Sequence, residues 1–124
     1  VFLLKEYSQA ISDGDRILAI VEGSAVNTDG NKSGLMVPNV NAQIDLMKQV
    51  YNRAGIAPDD IDYLEAHGTG TAVGDPIESQ AIEAALGIRR SSPLPIGSVK
   101  SNLGHLEAAS GVAGLVKALL SIEH

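Results

Sequence analysis

The sequence predicts an α/β layer with a mostly parallel sheet. Short apolar runs of strand length alternate with helical patterns whose apolar residues recur in steps of three and four. Glycine, Asp-Gly or Asp-Pro signals stand at the ends of these patterns. The resulting order (strand, helix, strand, helix, strand, helix) needs a crossover at each return to the sheet, which is the connectivity of parallel α/β layers. Ligands in such folds sit where strand ends lead into loops.

Taken along the chain, Phe2 to Lys5 reads as the end of a strand, and Asp13-Gly14-Asp15 as a turn. Arg16 to Val26 is apolar and rich in β-branched residues, the pattern of a strand buried on both faces. Asn27 to Asn39 is polar, with Gly30, Gly34 and Pro38, and reads as a loop. Asn41 to Ala54 places Ile44, Met47, Val50 and Tyr51 on one helical face and stops at Gly55. Residues 57–60 form a turn, and Ile61 to Ala66 a short strand running into the glycine-rich segment Gly68 to Gly74. Asp75 as N-cap and Pro76 at the first helical position start a helix that runs to about Leu86 and stops at Gly87. Arg89 to Pro95 is a surface loop, Ile96 to Val99 a third short strand, and Glu107 to Ile122 a last helix after a loop to His105. Its stripe of Val112, Leu115, Val116, Leu119 and Leu120 is expected to pack into a core. We read residues 1–124 as a single unit without repeats or linkers. Val at position 1, and a helical pattern running to His124, are expected of a piece of something longer.

Composition narrows the function classes. The 124 residues are 44 % hydrophobic and 19 % charged, which is globular. The net charge of −6 argues against nucleic acid or an anionic membrane as partner, since both require clustered Lys and Arg. No apolar stretch has the length of a membrane span, and a cytoplasmic location is expected. With no cysteine, the chain has neither disulfides, nor thiolate metal sites, nor a thiol nucleophile of its own.

Two of the three histidines occupy matched settings. His67 follows the strand that ends at Ala66 and precedes Gly68-Thr69-Gly70-Thr71; His105 follows the strand ending at Val99, after Lys100-Ser101-Asn102-Leu103-Gly104. Both lie past the C-terminal end of a parallel-type strand and before a helix, so adjacent strands bring them into one crevice. Paired imidazoles offer N–H donors to a developing oxyanion, the electrostatic device that stabilises an enolate. The competing ligand chemistries are weaker. "GTGTAVGD" lacks both the Gly-Lys-Ser/Thr of a phosphate loop and the dinucleotide fingerprint. A metal set of His67, His105 and Asp75 has no recognised ligand spacing, so no metal is expected.

The residues around these histidines resemble a known family. "EAHGTGTAVGDPIE" (Glu65 to Glu78) and "SVKSNLGHLEAASGVAGLVKALLSIEH" (Ser98 to His124) are similar to the two histidine motifs of type I ketosynthases, and "DGDRILAIVEGSAVNTDG" (Asp13 to Gly30) resembles the segment preceding them. The "HGTGT" and "NTDG" forms lean toward modular polyketide synthases, with fatty acid synthases as close relatives. The resemblance implies the C-terminal half of a thiolase-like fold, with the intact domain a homodimer. It implies a decarboxylative Claisen condensation, in which malonyl or methylmalonyl on an acyl carrier protein loses carbon dioxide and attacks an acyl thioester held on a cysteine.

By motif, the resemblance makes His67 and His105 the catalytic pair and Lys100, five positions before His105, a supporting lysine that pairs with Glu107. Thr69 and Thr71 match threonines that hydrogen-bond the phosphopantetheine arm of the carrier protein, so no cofactor is bound directly. Asn102 and Gly104 shape the loop presenting His105. Each has a structural alternative: the threonines as caps, Lys100 as a surface charge, Glu107 as a favourable charge in a first helical turn. The family's nucleophile lies in an N-terminal half not represented here. The isolated fragment is therefore expected to be inactive, with that missing half and the carrier protein as its partners. The contrasting reading is a non-catalytic module that only holds carrier protein or a partner half.

Overall fold

In the computed structural model, described for residues 1–124 except 33, 35 and 36, seven regular elements occur among the described residues. They are α1 (Tyr7–Asp13), α2 (Val40–Ala54), β1 (Leu64–Glu65), α3 (Gly74–Ala85), β2 (Ile96–Gly97), α4 (Lys100–Leu103) and α5 (Ser110–Glu123). Short 3-10 turns cover Pro58–Asp60, Gly87–Arg89 and Glu107–Ala109. Strands β1 and β2 pair in parallel, Leu64 opposite Ile96 and Glu65 opposite Gly97, with α3 in the crossover. The α/β class with a parallel sheet is as the sequence predicts.

Local signals produce the helix that sequence reads best. The Asn39 side chain accepts from the Asn41 and Ala42 amides at 3.0 and 3.3 Å, satisfying two donors that a helix start leaves free. At the other end Gly55 takes the left-handed conformation, φ 69°, which a side chain disfavours. The apolar face of α2, with Ile44, Met47 and Tyr51, packs on a core of Ile61, Ile82, Ala85 and Leu86. Each large aliphatic side chain buried there contributes about 1.5–3 kcal/mol.

Several expectations need correction. Arg16 to Val26 forms no strand, and Leu18, Ile20, Val21 and Val26 are exposed. Apolar β-branched residues favour an extended chain, but a strand also needs a ladder partner, and none pairs with this segment among the described residues. Phe2 to Lys5 likewise has no ladder partner among them. The turn expected at Asp13-Gly14-Asp15 is present, with Gly14 left-handed at φ 71°, but it closes a helix, α1, that the sequence pattern does not announce. The two remaining strands keep only two ladder residues each, shorter than the sequence patterns. The expected loop before His105 contains the single turn α4. The stripe on α5 is not core: Val112, Leu115, Val116 and Leu120 are exposed, because no other described element lies over most of that face. Ile17 and Leu18 meet its far end, where Arg16 bonds Glu123 at 2.5 Å.

Candidate active site

The pairing of β1 with β2 fixes where the two histidine loops begin. The ladder continues just past β1, where the Ala66 amide donates to the Gly97 carbonyl at 2.8 Å, and the chains then leave the sheet together. They stay in contact beyond it. The Ser98 hydroxyl donates to the His67 carbonyl at 3.2 Å. Gly68 has φ 47°, and a Cβ there would stand 2.7 Å from the Ser98 Cβ. Glycine is thus required twice over at position 68, for its backbone angle and for the approach of the second loop.

This register brings His67 and His105 together. Their ring centroids are 5.4 Å apart and the planes meet at 87°, an edge-to-face pair. Both residues are exposed. The ring of His105 is held from below its own loop. The Glu107 amide donates to Nδ1 at 2.9 Å, and the Ser110 hydroxyl stands 3.0 Å from the same nitrogen. A backbone amide only donates, so Nδ1 carries the lone pair and the proton of the neutral ring is on Nε2. Gly104, at φ 75° and ψ −176°, makes the bend that leads into His105. Asn102 sits in α4 and accepts from the Ser101 hydroxyl at 3.1 Å.

The loop of His67 is held by two carboxylates, of which sequence reading singles out only Asp75, and for another role. Glu78 of α3 accepts from the His67 amide at 2.7 Å and the Gly68 amide at 2.8 Å. Asp75 is not the N-cap expected of it. It lies inside the first turn of α3 and accepts from the Gly70 amide at 3.1 Å with each oxygen, while the Thr71 hydroxyl caps the Gly74 amide at 3.0 Å. Thr69 and Thr71 hydroxyls lie 3.3 Å apart. The only sequence signal for Glu78 is a carboxylate one turn into a helix behind a glycine-rich loop. For Glu65 it is an acid within an otherwise apolar strand pattern; its side chain is 14 % exposed and accepts the Val99 amide at 2.5 Å.

Lys100 opens α4, and its amide meets the Ser98 hydroxyl at 3.3 Å. The expected ion pair with Glu107 is not among those formed by the described residues. The bend at Gly104 separates α4 from the turn that Glu107 begins, and it is the Glu107 amide, not its exposed carboxylate, that serves the site. Beside His67 lies a cavity of about 390 Å³, lined by His67, Thr69 and Glu78 and by Gln43, Met47 and Tyr51 of α2. Among the described residues no group of three His, Cys, Asp or Glu side chains is placed to hold a metal ion. No helix of the described residues is long and apolar enough to cross a membrane.

Comparison with known proteins gives the family. The family described as beta-ketoacyl synthase, C-terminal domain, matches residues 18–124. The chain belongs to that family. This ketosynthase segment is 55 % identical over 98 % of its length to the hybrid PKS-NRPS synthetase pynA of Aspergillus niger. It is 51 % identical over 97 % of its length to the polyketide synthase GfsA of Streptomyces halstedii. It spans 3 % and 2 % of those two proteins. Among solved structures it superposes with a TM-score of 0.91 on the oxazolomycin ketosynthase domain OzmH KS7 of Streptomyces albus JA3453, at 49 % identity, covering 97 % of this chain and 21 % of that one. The ketosynthase from module 6 of the bacillaene synthase of Bacillus subtilis 168 gives 0.89 at 44 % identity, covering 94 % and 21 %. The fold is therefore the thiolase-like fold of ketosynthases, of which this segment forms the C-terminal α/β part.

Proposed function

We propose that this segment supplies the paired histidines of a polyketide synthase ketosynthase, which condenses an acyl thioester with a malonyl-type unit carried on acyl carrier protein. The observation that carries this reading is the edge-to-face contact of His67 and His105 at the ends of two paired strands. The fixed tautomer of His105 supports it, since the Nε2–H is left free to donate.

In the reaction, the bond between the malonyl carboxylate and Cα breaks and carbon dioxide leaves. The electron pair moves onto the thioester oxygen as an enolate, which N–H groups of the two imidazoles stabilise. The enolate carbon then attacks the acyl thioester carbonyl, and collapse of the tetrahedral adduct expels the cysteine thiolate, leaving a β-ketoacyl chain on the carrier. The thiolate comes from outside these residues, which contain no cysteine. In this reading Thr69 and Thr71 receive the phosphopantetheine arm, Thr71 doing so while capping α3. Lys100 supports the catalytic pair by orienting groups at the site, Asn102 and Gly104 shape the loop that carries His105, and the intact domain works as a homodimer.

The test is malonyl-carrier decarboxylation by the intact synthase, wild type against His67→Ala and His105→Ala. Each variant is expected to lose about a hundredfold or more, the effect of removing an oxyanion donor. Near-wild-type turnover in either would overturn the assignment and leave carrier binding without chemistry as the better account.

A further inference from the structure

On the strand that leads to His67 stands a closed polar triangle with no part in the chemistry above. Glu65 Oε2 accepts from the Tyr63 hydroxyl at 2.6 Å and pairs with Lys117 Nζ at 2.9 Å, and Lys117 Nζ in turn donates to the Tyr63 oxygen at 2.8 Å. The other oxygen of Glu65 takes the Val99 amide. Two glycines make room for the triangle. A Cβ on Gly97 of β2 would collide with the Tyr63 hydroxyl and stand 3.0 Å from Lys117 Nζ; one on Gly114 of α5 would stand 3.3 Å from Glu65 Cγ. The cluster thus joins β1, β2 and α5.

Its position relative to the site gives it a role. Glu65 lies two residues before His67, and Val99 is the last residue before Lys100. The Val99 carbonyl accepts from the Asn102 and Leu103 amides, each at 3.0 Å, so Val99 is the root of the turn that delivers His105. We infer that Glu65, braced by Tyr63 and Lys117, is a positioning residue for the reaction: its bond to the Val99 amide sets the distance between the loop of His67 and the loop of His105. This rests on the function proposed above. The polar contacts of the pair are to Tyr63 and the Val99 amide. The carboxylate acts through the backbone, and a misplacement of about 1 Å at a reacting group costs on the order of a hundredfold.

The experiment compares kcat and KM for malonyl-carrier decarboxylation in the intact synthase carrying Glu65→Ala, Glu65→Gln, Lys117→Met or Tyr63→Phe, with His67→Ala and His105→Ala alongside. Glu65→Ala is expected to lower kcat about thirtyfold with KM within about twofold, since the histidines shift while carrier binding is untouched. Glu65→Gln keeps a carbonyl oxygen for the Val99 amide and is expected to restore kcat to within about fivefold of wild type. Lys117→Met removes a brace but leaves the Val99 bond, and is expected to lower kcat by about threefold to tenfold. Should Glu65→Ala fail to fold, Tyr63→Phe, which removes only a hydroxyl, is expected to lower kcat by about threefold at unchanged KM. Wild-type kcat in Glu65→Ala, or in Tyr63→Phe where Ala cannot be obtained, overturns the inference; so does an equal loss in Glu65→Ala and Glu65→Gln. If the histidine variants lose turnover and Glu65→Ala does not, only this inference falls. If the histidine variants also keep turnover, the proposed function falls with it.

Discussion

Lys117 of α5 and Glu65 of β1 form an ion pair, 2.9 Å from Nζ to Oε2, that fastens the last helix to the sheet. Burial alone would raise the Glu65 carboxyl, but hydrogen bonds from Lys117, Tyr63 and the Val99 amide outweigh it and hold the group below the ordinary carboxylate range. The bond to Glu65 raises the Lys117 ammonium above the usual lysine value.

A lowered carboxyl contributes stability that is present above its unfolded-state value and is lost as pH falls through its folded-state value. A raised lysine contributes stability that is present below its unfolded-state value and is lost only as pH climbs through the higher folded-state value. The wild-type advantage over Glu65→Gln in the thermal midpoint of the ketosynthase transition should therefore be full at neutral pH and shrink as the solution is acidified to about pH 3. A gap that stays constant over that acid range would show that the Glu65 charge carries no stability.

Glu78 holds the loop of His67 by its backbone, accepting two amides that Glu78→Ala would leave without an acceptor. Loss of this carboxylate should lower decarboxylation turnover by about ten- to a hundredfold while the carrier KM changes little. Turnover in Glu78→Ala matching wild type would show that the loop holds its shape unaided.

Glu107 serves His105 through its amide, from a left-handed conformation of φ 50° that glycine adopts freely. Glu107→Gly keeps the amide and relieves that angle, so turnover should stay within about twofold and the thermal midpoint should hold or rise. A large loss would assign a role to the carboxylate. By contrast Ser110→Ala, which strips a buried hydroxyl from His105 Nδ1, should cost about three- to tenfold in turnover.

Gly97→Ala tests the room made for the triangle. The new Cβ would enter the space of the Tyr63 hydroxyl, and overpacking of this kind costs about 1–3 kcal/mol. A thermal midpoint equal to wild type would mean that Tyr63 and Lys117 can move aside.

What sequence can reveal follows the reach of each interaction. Helix α2 is legible because its apolar face and its Gly55 stop lie within one segment; the Asn39 cap is added by the structure. The meeting of His67 and His105 is legible because each follows a strand-like run, and parallel strands bring equivalent ends together. Arg16 to Val26 misleads because its pattern records apolarity while a strand also requires a neighbour. The α5 stripe misleads for a related reason, since periodicity gives the face but not what covers it. Glu65 and Glu78 leave only a faint trace, an acid in an apolar strand pattern and one a turn into a helix, because a carboxylate accepting distant amides has no local pattern of its own: Glu78 reaches back to the His67 amide, and Glu65 across to Val99. The Lys100–Glu107 pair fails in the opposite sense, being near in sequence but parted by the bend at Gly104.

The parallel pairing of β1 and β2 has a consequence for how the chain folds. Parallel neighbours cannot be joined by a tight turn, so the ladder closes across a long connection that here contains helix α3. Contacts that span such a loop form late and slowly compared with helices. The two imidazoles are therefore expected to meet after the helices have formed. On refolding, the helical signal should return first and the histidine pair after it, so that a chain stalled with its helices formed would still lack its site.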